Sequence, residues 1–391
     1  MGSDLVSACI FCAGFLLGVD LPPRPGLSPE IGLSYSTLDR QIPSTSETPH
    51  DFDVSDVTPK FVLIGFGNAH EASGDLGAGT PAFEWRVRVA FGPSHDDQIR
   101  KSTIGEPQIQ TDGTGRYENF ALLGRFPLGS RDSIEIGLDR RNQHATDVIN
   151  IGGSAHTFSE QRSLTAERGD GAVGWRHRFR NAELAASVLY AKLTGVNATA
   201  NAYYSSSGHA WGGAVEGRWR SGGWTFLAHY ERLSGSLDVL EESFPDFRVR
   251  HPNGDSTLDA ARAGVGYAWP RSDLFVTATY DRERLPFVSL AVLGTEIAAF
   301  DGGFHPDSHN KEFFGDLTFR YAFSPAIRAR IGLRLATGQE TVRLTDGVDD
   351  RPPVTLEVDR RGRWGGGFSE TLGFPELTLF LGMDFAVGAA R

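Results

Sequence analysis

Arginine side chains recur at every second position in several stretches of the chain, and this spacing raises the first chemical question. In residues 326–335, AIRARIGLRL, Arg328, Arg330 and Arg334 share one parity, and aliphatic side chains occupy the other. Because side chains of a β-strand alternate between its two faces, this strand would have one apolar and one cationic face. Guanidinium groups pair with carboxylates and phosphates, so the cationic face could attract anionic solutes.

The same alternation recurs in residues 83–91, 171–180, 211–220 and 313–323, with acidic as well as basic residues on the polar face. If these faces line a water-filled lumen, opposed basic and acidic walls would select hydrated solutes, favouring anions where arginines cluster. Alternatively, the charges neutralise each other across neighbouring strands of a narrow or plugged barrel. The predicted pore-lining residues are Arg86, Arg88, Arg176, Arg178, Arg218, Arg220, Arg262, Arg320, Arg328, Arg330, Arg334, Glu84, Glu135, Asp139, Glu216, Asp281, Glu283 and Asp316.

Other residues that could do chemistry give weaker patterns. His305, Ser308 and His309 lie in a segment predicted to be an external loop, where a histidine–serine pair could form a lipid hydrolase, but the sequence context that such enzymes use is absent. Cys9 and Cys12 have the spacing of a redox motif but lie inside an apolar run rather than between a strand and a helix. We therefore predict no enzyme activity, no cofactor and no metal site.

The beginning of the chain has the composition of an exported protein. Residues 5–19 are apolar and uncharged, too short for a transmembrane helix and about right for the core of a secretory signal. We predict an export signal over 1–19 and a proline-rich linker over 20–30. No cysteine follows residue 12, which suits an oxidising compartment. A net charge of -11 argues against nucleic acid as a partner.

The elements that would hold these side chains are strands whose connections alternate in length. Short turns near 127–131, 180–183, 220–223 and 269–273 alternate with longer polar stretches such as 93–115, 144–157, 195–207 and 237–256. That alternation is typical of an up-and-down barrel with short periplasmic turns and long extracellular loops. Aromatic residues beside the short turns match the interfacial girdle of such barrels: Phe126, Phe179, Trp219, Trp224, Trp269 and Phe323.

With this pattern, residues 31–391 resemble the bacterial outer-membrane β-barrels, and porins within them. The resemblance implies an all-β transmembrane up-and-down antiparallel β-barrel as a single domain in the cell outer membrane of a Gram-negative type bacterium. Fifteen candidate strands are recognisable, and because single-chain barrels usually have an even number we predict 14–16 strands, favouring 16. Residues 287–300 are either the missing strand or an apolar segment folded into the pore.

The leading functional interpretation is a porin-like channel for passive diffusion of small hydrophilic solutes, with outer-membrane lipid around it. Three alternatives stay open. The first is a structural barrel that sheathes or anchors a partner protein, such as an electron-transfer cytochrome or a surface assembly. The others are an outer-membrane lipid hydrolase and a secreted β-sandwich. The resemblance to porins also implies a homo-oligomer.

Overall fold

The computed structural model describes residues 30–47, 61–80, 82–102, 108–152, 157–198, 202–243, 247–285, 304–324, 326–346, 355–361 and 376–387. Within these ranges the regular elements are all β-strands. They are β1 (Glu30–Glu47), β2 (Phe61–Thr80), β3 (Phe83–Ser102), β4 (Gln108–Pro127), β5 (Asp132–Gly152), β6 (Thr157–Arg178), β7 (Ala182–Ala198), β8 (Ala202–Ser221), β9 (Trp224–Ser243), β10 (Phe247–Ala268), β11 (Ser272–Leu285), β12 (Phe304–Ser324), β13 (Ile327–Asp346), β14 (Thr355–Arg361) and β15 (Glu376–Val387). The predicted export signal, nearly all of the linker and the 287–300 segment lie outside the described residues.

Consecutive strands pair antiparallel, and the sheet closes on itself. β1 pairs with both β2 and β15, and β13 pairs with both β12 and β15. The described strands β1–β13 and β15 therefore form a ring of 14, which confirms the predicted up-and-down barrel but does not support the preference for 16 strands. Closure matters physically because a bilayer offers no partner for the polar backbone groups of an open sheet edge.

The strand that completes the ring is divided between two segments. β14 pairs with the outer part of β13, from Thr355 opposite Thr345 to Arg361 opposite Gln339. β15 takes over on the same side of β13 from Glu376, opposite Ala336, and continues to the short-turn end. The sequence pattern predicted two separate strands here. The register shows that the two segments share one position in the ring, beside β13.

The outer face of the barrel carries an apolar band between two levels of aromatic side chains. The predicted aromatic residues at the short turns are all exposed, and a second level of outward aromatics lies higher on the wall: Phe91, Phe120, Trp211, Tyr230, Tyr280 and Phe313. On β8 the two levels are eight residues apart, about 27 Å along the strand or about 20 Å along the membrane normal at a tilt near 40°. This band is the surface that a bilayer requires, and it places the chain in an outer membrane. In the described ranges, the structure contains no helix with the length and apolarity needed to span a membrane.

Several strands continue beyond the ends that the sequence pattern predicted. Where long polar loops were expected, the described strands leave only short connections at 103–107, 153–156, 199–201 and 244–246. Likewise, the prediction of an external loop at residues 304–311 is wrong, since they belong to β12. The reason is that the outward face has no need to be apolar above the lipid, so the alternation fades although the backbone hydrogen bonds continue.

The turn between β8 and β9 depends on glycine. Gly222 and Gly223 have φ angles of 55° and 90°, in the left-handed region that other residues adopt at a cost. A two-residue connection with positive φ at both positions is a type I′ turn, whose twist matches that of the strands it joins.

Substitutions at different depths of the outer face provide a test of the membrane band. Val215 lies midway between Trp211 and Trp219 and its side chain is exposed. We expect Val215→Arg to lower the free energy of unfolding by about 2–4 kcal/mol, because a guanidinium group would enter the middle of the bilayer. Leu128→Arg, in the turn that follows β4 and so at the edge of the band, is the control and should cost about 0–1 kcal/mol. Urea unfolding in lipid vesicles measures both, and equal costs would refute the placement of the band.

Candidate functional site

The interior of the barrel is lined by charged side chains that the strand register sets opposite one another. Glu84 on β3 lies opposite Arg125 on β4, and Arg125 lies opposite Glu135 on β5. Further round the wall, Glu183 on β7 lies opposite Arg178 on β6 and Arg218 on β8. Directly opposed side chains on one face of a sheet are close enough to pair, so the register itself produces contacts between opposite charges.

These pairs join into a continuous ladder across six strands near the short-turn end, comprising Glu84, Arg125, Glu135, Arg176, Glu183, Glu216 and Arg218. Arg125 Nε donates to Glu135 Oε1 at 2.9 Å, and Arg176 Nε donates to the same oxygen at 2.9 Å. Arg176 Nη1 also reaches Glu183 Oε2 at 3.3 Å and Glu216 Oε1 at 3.4 Å. Arg176 is therefore the branch point that holds the two halves of the ladder together.

The central members of the ladder are buried. Glu135, Arg176 and Glu216 are 7%, 5% and 4% exposed. Ion pairs in such places are held in a medium that screens charge weakly, and each partner depends on the other to offset its lost hydration. The ladder is thus part of the packed wall rather than a row of charges in open water.

A second group of polar side chains lies one level above the ladder on β4–β6. Arg141 Nε donates to Asp139 Oδ2 at 2.7 Å, and Asn119 donates to the other oxygen of Asp139. Asp170 accepts from Arg168 at 3.0 Å and lies 3.8 Å from Arg141. The carboxylates of this wall are therefore matched by arginines from neighbouring strands.

The opposite wall, β10–β13, has its own ion pairs. Arg334 Nε donates to Asp316 Oδ1 at 2.5 Å, and the guanidinium group of Arg334 lies 5.7 Å from the centre of the Phe314 ring. Arg320 Nε donates to Asp273 Oδ1 at 2.7 Å. On this side too, arginines predicted from the alternation are paired with carboxylates.

All 18 predicted pore-lining residues lie on the inward-facing parity of their strands. Their role in lining a path for solutes stays a prediction. Arg125 and Glu183, which complete the ladder, were not predicted, because Glu183 lies within a segment interpreted as a turn and Arg125 lies just before another. Each is next to an outward apolar residue, Phe126 or Leu184, and that parity was the available signal.

The predicted hydrolase residues belong to strand β12. The backbone of β12 carries His305, Ser308 and His309 in strand conformation, paired with Thr345, Val342 and Thr341 of β13. Among the described residues, no cluster of three or more histidine, cysteine or carboxylate side chains could hold a metal ion.

An apolar patch that the alternation does not predict faces inward on β6–β10, above the ladder. We call it the leucine patch: Ala172, Leu189, Ala191, Leu193, Ala210, Ala214, Leu233, Leu237 and Leu258. Its leucines are 0–9% exposed, with Leu237 fully buried. The interior is therefore not uniformly hydrophilic, since one wall combines a charged level with an apolar level.

Below the ladder the lumen opens into a cavity of about 1020 Å³ at the short-turn end. We call this cavity the vestibule. Its walls come from β4, from the β6–β7 and β8–β9 hairpins and from the end of β10. It is lined by Arg125, Arg176, Arg178, Phe179, Arg180, Asn181, Ala182, Glu183, Arg218, Arg220, Ser221, Gly222, Gly223, Trp224, Thr225 and Ala268.

Comparison with solved structures identifies barrels of similar fold. A TodX monoaromatic hydrocarbon channel, in a variant named deltaS2, superimposes with a TM-score of 0.50 at 10% identity, covering 92% of this chain and 90% of the other. The Ralstonia pickettii toluene transporter TbuX gives 0.48 at 8% identity, covering 94% and 95%. A Pseudomonas aeruginosa FadL homologue gives 0.45 at 10% identity, covering 93% and 91%.

At such low identity the similarity to the TodX variant concerns the fold, which is that of a transmembrane β-barrel. No protein-family model matches the chain, and no curated protein matches it.

Proposed function

We propose that this barrel is an outer-membrane channel for passive diffusion of small hydrophilic solutes. The observation that carries the proposal is the vestibule, a cavity of about 1020 Å³ with arginines on its walls at the short-turn end of the lumen. A cavity of this size accommodates small organic molecules. On the opposite wall, the partly exposed ion pair of Arg320 and Asp273 provides polar partners for a hydrated solute.

A second candidate is a channel for apolar solutes, and the leucine patch favours it. The leucines and alanines of the patch are 0–9% exposed, so the patch would contact a hydrophobic molecule only where their packing opened between the outer opening and the charged ladder. The barrel of similar fold with a TM-score of 0.50 is described as a monoaromatic hydrocarbon channel. The charged levels and the vestibule favour the hydrophilic interpretation, because their surfaces would oppose passage of an apolar molecule.

Cysteine accessibility distinguishes a water-filled path from a closed wall. The chain has only Cys9 and Cys12, so a Cys9→Ser, Cys12→Ser background leaves one introduced thiol. Thr225 lines the vestibule, and the next residue, Phe226, faces lipid with 42% exposure. We expect a negatively charged methanethiosulfonate reagent to reduce the current through Thr225→Cys in a planar bilayer and to leave Phe226→Cys unchanged.

The outcomes of this experiment separate the candidate functions. Open steps that the reagent blocks in Thr225→Cys alone support a hydrophilic path through the vestibule. A folded, inserted barrel without conductance would contradict it and favour the apolar-solute channel or the structural barrel that holds a partner. Reagent-insensitive conductance in Thr225→Cys would mean that ions bypass the vestibule.

A further inference from the structure

The vestibule differs in charge from the rest of the protein. The chain as a whole carries a net charge of -11, yet six arginines line this cavity and Glu183 is the one carboxylate among its lining residues. The ladder adds three carboxylates behind the wall, those of Glu84, Glu135 and Glu216. Six arginines against four carboxylates leave two positive charges around a concave space, where the field of the walls is concentrated.

The arginines of the vestibule divide into two groups by burial. Arg125 and Arg176 are 8% and 5% exposed, the side chain of Arg218 is 12% exposed, and all three belong to the ladder. Arg178, Arg180 and Arg220 are exposed at the mouth, and the side chain of Arg178 is 48% exposed while its Nε lies 3.4 Å from Glu183. The buried group thus supports the wall, and the exposed group presents guanidinium surface to the cavity.

The placement of the exposed arginines follows from the strands. Arg178 and Arg220 are on the inward parity at the ends of β6 and β8, and β7 pairs with both strands. Arg180 is in the turn that joins β6 to β7. Three guanidinium groups therefore approach the same part of the cavity from two strand ends and one turn. Each can bind a carboxylate or a phosphate group through two parallel hydrogen bonds.

We propose that the vestibule is a binding site for small organic anions that carry a carboxylate or phosphate group, with Arg178, Arg180 and Arg220 as the binding side chains. The proposal deepens the proposed function, because a site at the periplasmic end of a channel would favour anionic over cationic solutes. Binding itself does not require that the barrel conducts.

The test compares an Arg178→Gln, Arg220→Gln double variant with an Arg116→Gln control in the detergent-folded, full-length chain. Arg116 is an exposed arginine on the outward parity of β4, 3.8 Å from Glu118 and outside the vestibule. Calorimetric titration with citrate and with glycerol 3-phosphate, at constant ionic strength, measures affinity for the two oxyanions. We expect the double variant to lose affinity about tenfold or more, and the control to match the unmodified protein.

Two further readouts separate this proposal from the channel proposal. In a salt gradient, the reversal potential of the double variant should shift toward cations while the control keeps the anion preference of the unmodified protein. A barrel without conductance could still bind citrate or glycerol 3-phosphate, with weaker binding in the double variant than in the control. That result would refute the channel and support the site. Failure of the unmodified protein to bind either anion, or equal affinities in the double variant and the control, would overturn the site even if the barrel conducts.

Discussion

Replacing Arg176 with alanine is expected to lower the free energy of unfolding by about 3–5 kcal/mol. Arg176 donates to Glu135 at 2.9 Å and contacts Glu183 and Glu216, and its own side chain is only 6% exposed. Removing it would leave buried carboxylates without their main counter-charge. The cost arises less from the lost attraction than from the charges left behind, whose burial limits their hydration.

An exposed ion pair on the neighbouring strand provides the matched control. Arg140 Nη2 lies 3.0 Å from Glu167, with side-chain exposures of 60% and 47%. Arg140→Ala should cost about 0–1 kcal/mol, since both groups remain hydrated and the pair gains little in water. Urea unfolding in vesicles, followed by tryptophan fluorescence, measures both variants.

A second substitution tests the explanation in terms of uncompensated charge. Adding Glu135→Gln to Arg176→Ala removes one of the stranded carboxylates, so the double variant should be more stable than Arg176→Ala alone. Similar costs for Arg176→Ala and Arg140→Ala would show that water reaches the ladder and that burial does not strengthen it.

Gly212→Ala is expected to prevent folding, with a loss of at least about 4 kcal/mol, because β8 and β9 approach closely at this point. A Cβ on Gly212 would overlap the carbonyl oxygen of Arg232 and lie 2.9 Å from the Cα of Leu233. Both are backbone atoms of β9, so no side-chain rotation relieves the overlap. Either the strands separate, breaking their hydrogen bonds, or the barrel does not close.

The same strand offers a control glycine. A Cβ on Gly217 would meet nothing within 4 Å, so Gly217→Ala should fold like the unmodified protein. The heat-modifiable migration of folded barrels on SDS gels distinguishes the two variants without a functional assay. Gly235→Ala, whose Cβ would overlap the carbonyl oxygen of His209 on β8, should behave as Gly212→Ala does. A folded Gly212→Ala barrel would show that the two strands are farther apart than the structure places them.

Local alternation was enough to predict the barrel and the inward side of its strands. Side-chain direction in a strand repeats every two residues, so a stretch such as AIRARIGLRL states which side chains share a face without reference to any other part of the chain. The outer face must also be apolar where it meets lipid, and this requirement marks the short turns and the aromatic residues beside them. These features depend only on residues that are close together in the sequence, so the sequence alone was enough to predict them.

The partners of the inward charges depended on the tertiary structure. Arg125 and Glu135 are ten residues apart and Arg176 and Glu135 are 41 apart, and only the register of each hairpin brings them to 2.9 Å. A shift of one residue in pairing would turn these side chains to the lipid face. The alternation predicted a set of charges, whereas the register made them a buried ladder.

The way in which the ring closes could likewise be determined only from the tertiary structure. β14 and β15 are two segments in sequence, and their common position beside β13 is visible only in the pairing. The parts of the strands that extend beyond the lipid have no apolar alternation, because their outer face does not contact lipid. Their strand conformation was therefore not predicted. The leucine patch and the vestibule have the same origin, since each gathers side chains from several strands. Long-range register decides which level of the lumen is apolar, charged or open.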